Sequence, residues 1–184
     1  MMMKLRNPII RTILAIGFIV YLYALMRMIL LKWNAPDFPF LYGQLLKALE
    51  NPNRVFGSGA RVGNLVPFKE ITNAMGDISL SNPHSLINLV GNIAIFIPFG
   101  MFISVLFHQN GATFRRVLIL SFCLSLSLEV AQLVLYIGTF DVDDLILNTS
   151  GGVIGYGVVK LFTYKPRAVS STNGRSRKKA QNQN

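Results

Sequence analysis

Four long apolar runs separated by polar turns set the pattern of this chain. A helix needs about 20 apolar residues to cross the hydrocarbon core of a bilayer, and each run is long enough to do so. The pattern predicts an all-α membrane protein: a four-transmembrane-helix bundle with a long extracytoplasmic loop between helices 1 and 2. The predicted spans cover about residues 12–31, 84–107, 117–137 and 143–162, within a membrane domain at 12–163.

The loop between the first two runs is too polar to span, but it contains a shorter helical pattern. Apolar residues between Phe40 and Leu49 recur at helical spacing and are interrupted by Gln44 and Lys47. This amphipathic pattern predicts a short helix lying on the membrane surface. Further along, the apolar Pro67-Phe68 element is expected to dip back to that surface.

The composition supports a membrane protein and narrows its chemistry. Hydrophobic residues make up 52% of the chain and charged residues 14%, whereas a soluble domain is about one quarter charged. The net charge is +10, but the basic residues are not interleaved with stacking aromatics, so no nucleic-acid partner is expected. Cys123 has no second cysteine, and His84 and His108 lie at opposite ends of one predicted span. We therefore predict no cofactor and no disulfide or zinc site, while a metal on carboxylates alone stays open.

The distribution of charge predicts the orientation. Residues 1–11, the turn at 108–116, Lys160 and the tail at 164–184 hold twelve of the 18 basic residues and none of the eight acids. Because short cytoplasmic loops carry the excess of Lys and Arg, both termini are expected in the cytoplasm. The tail has no apolar period and is predicted to be a disordered basic segment.

Each of the last three runs carries polar side chains in its outer half. Helical spacing places the members of each pair on one face, and the helical rise places the deeper member of each pair roughly 10–14 Å below the outer surface. A polar group left facing lipid costs several kcal/mol, so we expect the three faces to meet. The pairs are Asn88 with Asn92, Glu129 with Gln132, and Asp144 with Asn148.

Two interpretations of this polar cluster stay open. The amides and acids could hold the helices together, since each such hydrogen bond contributes about 0.6–2 kcal/mol. Alternatively they form a site, which is favoured by the ionisable Glu129 and by a loop containing Arg61 and Asn64 above the cluster. Asp141 and Asp143, in the turn before the last span, are expected to be solvated or to cap that helix.

Four ordered motifs between Arg61 and Tyr156 resemble those of the VanZ-like family of bacterial membrane proteins. One position departs from the family pattern: where an arginine is expected shortly before the Phe-Asp pair, this chain has Ile137-Gly138-Thr139. The motifs are Arg61-x-x-Asn64-Leu-x-Pro67-Phe68, Asn88-x-x-x-Asn92-x-x-x-Phe96-x-Pro98-x-Gly100, Ser127-x-Glu129-x-x-Gln132 and Phe140-Asp-x-Asp-Asp144-x-x-x-Asn148-x-x-Gly151.

The resemblance implies a multi-pass protein of the bacterial plasma membrane and cell envelope. Family members are associated with resistance to teicoplanin-type glycopeptide and lipoglycopeptide antibiotics. The resemblance also carries over the motif positions as site residues, but no reaction. The candidates for catalysis, Glu129 and Asp144, come from the chemistry of the two carboxylates themselves. The expected ligand-binding set is Arg61, Asn64, Asn88, Asn92, Glu129, Gln132, Asp141, Asp144 and Asn148.

Three functions remain open at this point. The polar pocket could bind a lipid-linked cell-wall precursor or a glycopeptide antibiotic. It could instead belong to a membrane enzyme in which Glu129 or Asp144 acts as acid or base on a lipid-linked substrate. The third function is a transporter or scramblase, for which four spans are few unless the protein forms an oligomer, which is itself an open question.

Overall fold

The structure, a computed structural model, describes residues 7–31, 37–57, 62–76, 83–107 and 113–163. Four of its helices are long and apolar enough to cross a membrane, namely α1 (Pro8–Ile29), α5 (Pro83–Leu106), α6 (Phe114–Val134) and α7 (Val142–Thr163). The predicted all-α membrane fold with four spans is therefore confirmed. The elements in chain order are α1 Pro8–Ile29, α2 Phe38–Glu50, α3 Asn53–Phe56, β1 Val62–Asn64, α4 Lys69–Gly76, α5 Pro83–Leu106, α6 Phe114–Val134, β2 Phe140–Asp141 and α7 Val142–Thr163.

The boundaries of the first and third spans differ from the predicted ones because of local caps. The first helix begins at Pro8, since the Asn7 side chain accepts a hydrogen bond from the Ile9 N–H at 2.9 Å. The third begins after Thr113, whose hydroxyl accepts from the Arg116 N–H at 3.3 Å. It ends at Val134 instead of residue 137, and Tyr136 then adopts a left-handed φ of 59°.

The packing of α7 on α5 depends on glycines. A Cβ added to Gly151 or Gly155 would overlap the carbonyl oxygen of Ile93 or Ile97 on α5. A Cβ on Gly100 of α5 would in turn overlap the backbone of α7. The two backbones therefore approach too closely for any larger residue, as the small-residue spacing of the last span predicts.

Aromatic and aliphatic contacts attach α1 to the rest of the bundle. The ring of Phe18 lies 5.4 Å from that of Phe102 and 5.9 Å from that of Phe99, measured between centroids. The Tyr21 hydroxyl donates a hydrogen bond to the carbonyl oxygen of Ile95 at 2.7 Å. The buried cluster at this junction consists of Leu25, Phe96, Phe99, Ile103, Val117 and Leu128.

The short helix predicted between the first two spans is present as α2. Its buried face carries Gln44 and Ala48, whereas Phe38 and Leu49 are 71% and 70% exposed. The Arg54 guanidinium donates to the Gln44 side-chain oxygen at 2.9 Å and lies 4.7 Å from the centre of the Tyr136 ring. These contacts fix α2 to the turn after α6. Its placement on a membrane surface stays a prediction.

Several predictions fall on residues that the structure does not describe. These are the tail at 164–184, residues 1–6 of the basic amino-terminal segment, most of the turn at 108–116 and the candidate site residue Arg61.

Candidate functional site

Three spans bring their polar faces together around one cavity of about 850 Å³. The cavity lies between α5, α6 and α7, and α4 and the end of α1 complete its wall. The predicted meeting of the polar faces is thus seen in the structure, while ligand binding by these residues stays a prediction. Seven of the expected site residues line the cavity: Asn88, Asn92, Glu129, Gln132, Asp141, Asp144 and Asn148.

Glu129 is buried on α6, at 2% exposure, and is fixed by the backbone of β2. One of its carboxylate oxygens accepts a hydrogen bond from the Asp141 N–H at 3.0 Å. Its other oxygen receives no hydrogen bond from the described residues. One half of the carboxylate therefore orders the turn into α7, and the other half is available to the cavity.

Asp144 is held in a similar way by a side chain from the facing helix. The Asn92 amide donates to one carboxylate oxygen of Asp144, which links α5 to α7. Its second oxygen, like that of Glu129, has no donor within the described ranges. With respect to the described part of the chain, the two candidate acid-base residues thus each keep one oxygen unpaired on the same cavity.

The remaining amides join helices, as the first interpretation of the cluster expected. The Gln132 amide donates to the Ile29 carbonyl oxygen at the end of α1, at 3.0 Å. The Asn148 amide donates to the Ser125 hydroxyl on α6, at 2.9 Å. The side-chain oxygen of Asn148 is different: the residue is 3% exposed, lines the cavity, and leaves this oxygen with no hydrogen-bond partner. The cluster therefore contains both helix-joining donors and unused acceptors.

Asp143 differs most from its expected role. The sequence predicts a solvated or α7-capping side chain, but Asp143 is 1% exposed and instead caps α4. Its carboxylate accepts from the backbone N–H groups of Phe68, Glu70 and Ile71 at 2.5, 2.7 and 3.2 Å. The first N–H groups of any helix lack partners within it, and no Ser, Thr, Asp or Asn immediately precedes Lys69. That missing local cap is the signal that could have indicated a distant one.

Asp141 has the capping role predicted for the turn. Its carboxylate accepts from the Asp143 N–H at 2.8 Å, at the start of α7, so the expectation of an α7 cap is confirmed for this residue. The same oxygen accepts from the Asn64 amide at 3.3 Å, and Asn64 pairs with Asp141 where β1 runs parallel to β2.

Asn64 is a structural anchor in this arrangement. It is buried, and its side-chain oxygen accepts from the Val66 N–H at 3.1 Å. It is not among the residues that line the cavity, and ligand contact by Asn64 stays a prediction. Phe68 follows with a left-handed φ of 67°, a conformation that costs energy outside glycine and is held here by the Asp143 carboxylate.

The cavity wall is acidic over the part of the chain that the structure describes. It contains no Lys, Arg or His side chain from these residues. Glu70, which sequence reasoning missed, is part of the wall. Its backbone N–H donates to the Asp143 carboxylate, which holds the start of α4 beside α7. Within the described ranges, no group of three or more His, Cys, Asp or Glu side chains is arranged to hold a metal ion. The carboxylates in the wall are Glu70, Glu129, Asp141, Asp143 and Asp144.

Comparison with known proteins agrees with the four motifs. The model of the VanZ/LLP1 family matches residues 18–163. The chain belongs to the VanZ/LLP1 family. A relative from Enterococcus faecium, Protein VanZ, is 34% identical over 111 residues, and the aligned region covers 60% of this chain and 60% of that protein. No solved structure matches the chain. The VanZ/LLP1 region includes every cavity-lining residue named above.

Proposed function

We propose that this protein contributes to resistance against teicoplanin-type glycopeptide and lipoglycopeptide antibiotics by binding a ligand in the acidic cavity. The observation that carries the proposal is the meeting of polar side chains from α5, α6 and α7 on one cavity within the spans. Polar groups at this depth are costly. An oxygen that accepts no hydrogen bond does not join one helix to another, so helix packing does not explain its presence. The chain belongs to the VanZ/LLP1 family, and the association of VanZ-like proteins with resistance, noted in the sequence analysis, supports the link to resistance.

The size of the cavity limits what it holds. Typical ligand pockets measure about 300–1,000 Å³, and the cavity of about 850 Å³ falls in that range. The volume suits a lipid headgroup, or one substituent of a larger molecule, better than a whole glycopeptide. We therefore place either the headgroup of a lipid-linked cell-wall precursor or a side group of the antibiotic in this site.

The proposed orientation places the cavity near the outer leaflet of the bacterial plasma membrane. The support is the distribution of twelve of the 18 basic residues over the predicted cytoplasmic regions. In this orientation the α4 side of the cavity is extracytoplasmic. A ligand from the envelope would then reach the carboxylates without crossing the membrane.

A cavity-filling substitution tests the binding proposal. Gly91 lines the cavity, and a Cβ added there would meet nothing within 4 Å, so Gly91→Phe fills space without a backbone clash. Gly157 has the same free space but lies away from the cavity, which makes Gly157→Phe the matched control. In a sensitive bacterial host we expect Gly91→Phe to lose the increase in teicoplanin inhibitory concentration and Gly157→Phe to keep it. Equal protection by both variants at equal expression would contradict the proposal.

A second function is favoured by the unpaired oxygens of Glu129 and Asp144. Two carboxylates in one cavity suit general acid-base chemistry on a lipid-linked substrate. Purified protein incubated with labelled lipid-linked precursor distinguishes the two functions. A product that depends on Glu129 would identify an enzyme, whereas binding without any product would leave the cavity as a binding site.

A further inference from the structure

We propose that the cavity selects a ligand group carrying a protonated amine. This proposal rests on the function proposed above, because it names the chemistry that the same site recognises. It also goes beyond that function, since a binding cavity in a membrane could equally be built for a neutral sugar or an anionic phosphate.

The charge of the wall is the first observation. Five carboxylates line the cavity, and the described residues contribute no basic side chain to balance them. Asp143 and Asp141 are stabilised by backbone and amide donors, as described above. From the residues that the structure describes, Glu129 and Asp144 each receive one hydrogen bond. Charges removed from water are normally paired, so a cation entering the cavity would supply what these two carboxylates lack.

The second observation is independent of charge. The Asn148 side-chain oxygen is buried without a hydrogen-bond partner, although the large majority of buried side-chain polar atoms have one. Its amide is already engaged with Ser125, so the group left over is an acceptor. An acceptor requires a donor from the ligand, which a phosphate or a carboxylate does not provide.

The type of unused group, an acceptor oxygen, also suits the proposed amine. An ammonium group offers three N–H donors and no acceptor. Among the described residues, Glu129 and Asp144 each have one carboxylate oxygen without a donor, and the buried Asn148 oxygen is a further acceptor without one. The Asn92 amide, which would repel a donor, points to Asp144. An anionic headgroup would meet unpaired carboxylates here and be repelled.

Two sources could supply this amine: the headgroup of an envelope lipid, or an amine of the antibiotic. Matched probe pairs separate them. One pair is dihexanoyl phosphatidylethanolamine and its N-acetyl derivative, and the other is teicoplanin and its N-acetyl derivative. Affinities are measured on the full chain in phosphatidylcholine nanodiscs. We expect the free amine of at least one pair to bind about tenfold more tightly than the acetylated form, as a lost charge-assisted hydrogen bond predicts.

Substitutions then assign the preference to the cavity. Glu129→Gln and Asp144→Asn should each bring the affinity ratio of the amine and acetylated forms close to one. Asn148→Asp, which keeps an acceptor, should preserve the ratio. Glu50→Gln is the control, because it makes the same chemical change at an exposed acid outside the cavity. If one of the first two variants fails to fold, the other still decides the result.

The outcomes separate this proposal from the function that it rests on. Equal affinities within both pairs, binding of neither pair, or an amine preference that survives both Glu129→Gln and Asp144→Asn would overturn amine selection. None of these results affects the comparison of Gly91→Phe with Gly157→Phe in resistance. Conversely, an unchanged resistance phenotype in Gly91→Phe, together with a clear amine preference, would leave amine binding in place and remove its link to resistance.

Discussion

The carboxylate of Asp143 accepts a hydrogen bond from the backbone N–H of Phe68 at 2.5 Å, across 75 positions of sequence. Two further N–H groups at the start of α4 donate to the same carboxylate. One side chain of the last span therefore fixes the segment that forms part of the cavity wall. The cap satisfies donors that α4 cannot satisfy locally, so its loss should release this segment before it affects the spans.

Replacement of Asp143 tests this cap directly. Asp143→Ala leaves three backbone N–H groups without an acceptor, at about 1–3 kcal/mol for each that stays buried. We expect faster amide hydrogen exchange over residues 68–71, with little change in the middle of α6. Asp143→Asn keeps one acceptor oxygen and should give an intermediate rate. An exchange rate over 68–71 that is unchanged in Asp143→Ala would show that the cap does not hold the segment.

The glycine contact between α5 and α7 predicts opposite effects at two positions on one helix. Gly155→Ala places a methyl group against the Ile97 carbonyl, and overpacking of this kind costs about 1–3 kcal/mol. Gly157→Ala meets open space and should gain up to about 1 kcal/mol from helix propensity. Thermal unfolding in detergent micelles, followed by circular dichroism, measures both. Equal midpoints for the two variants would argue against a close α5–α7 contact.

The exposed apolar face of α2 predicts contact with lipid. In a Trp33→Phe background, which removes the single native tryptophan, Leu49→Trp reports on this face. Lys47→Trp reports on the opposite, polar side of the helix. We expect lipids brominated near the headgroup to quench fluorescence at position 49 more strongly than at position 47. Equal quenching would mean that α2 does not lie with this face in the membrane.

Cysteine labelling tests the proposed orientation. Cys123 is the only cysteine, so Cys123→Ser gives a background without one. Thr139→Cys, in the exposed part of the α6–α7 turn, should react with an impermeant maleimide in intact cells. Thr163→Cys, at the end of α7, should react only after the cells are opened. The reverse pattern would place both termini outside and the cavity at the inner leaflet.

Local signals predicted the spans well because hydrophobic length and helical spacing are properties of short stretches. Asn88 and Asn92 could be placed on one face, and Glu129 and Gln132 on another, since residues three or four apart share a helix surface. The predicted end of the third span was less accurate, because Tyr136 adopts a left-handed backbone conformation that its residue type does not predict. The role of Asp143 was missed because its hydrogen-bond partners lie far away in the sequence, in the loop between the first two spans. Local spacing carries no information about such a contact.

By itself, the sequence determined that the protein is helical, that it has four membrane-length spans, and that three of them carry polar side chains at one depth. It did so because burial in lipid constrains composition over each span separately. Only the tertiary structure decided which polar atoms are used and which remain available. It pairs Glu129 with the Asp141 backbone and Asp144 with Asn92. Among the residues it describes, it leaves one oxygen of each, and that of Asn148, without a partner. Those assignments depend on the relative rotation of packed helices, which the glycine contact of α7 with α5 sets and which no single stretch of sequence encodes.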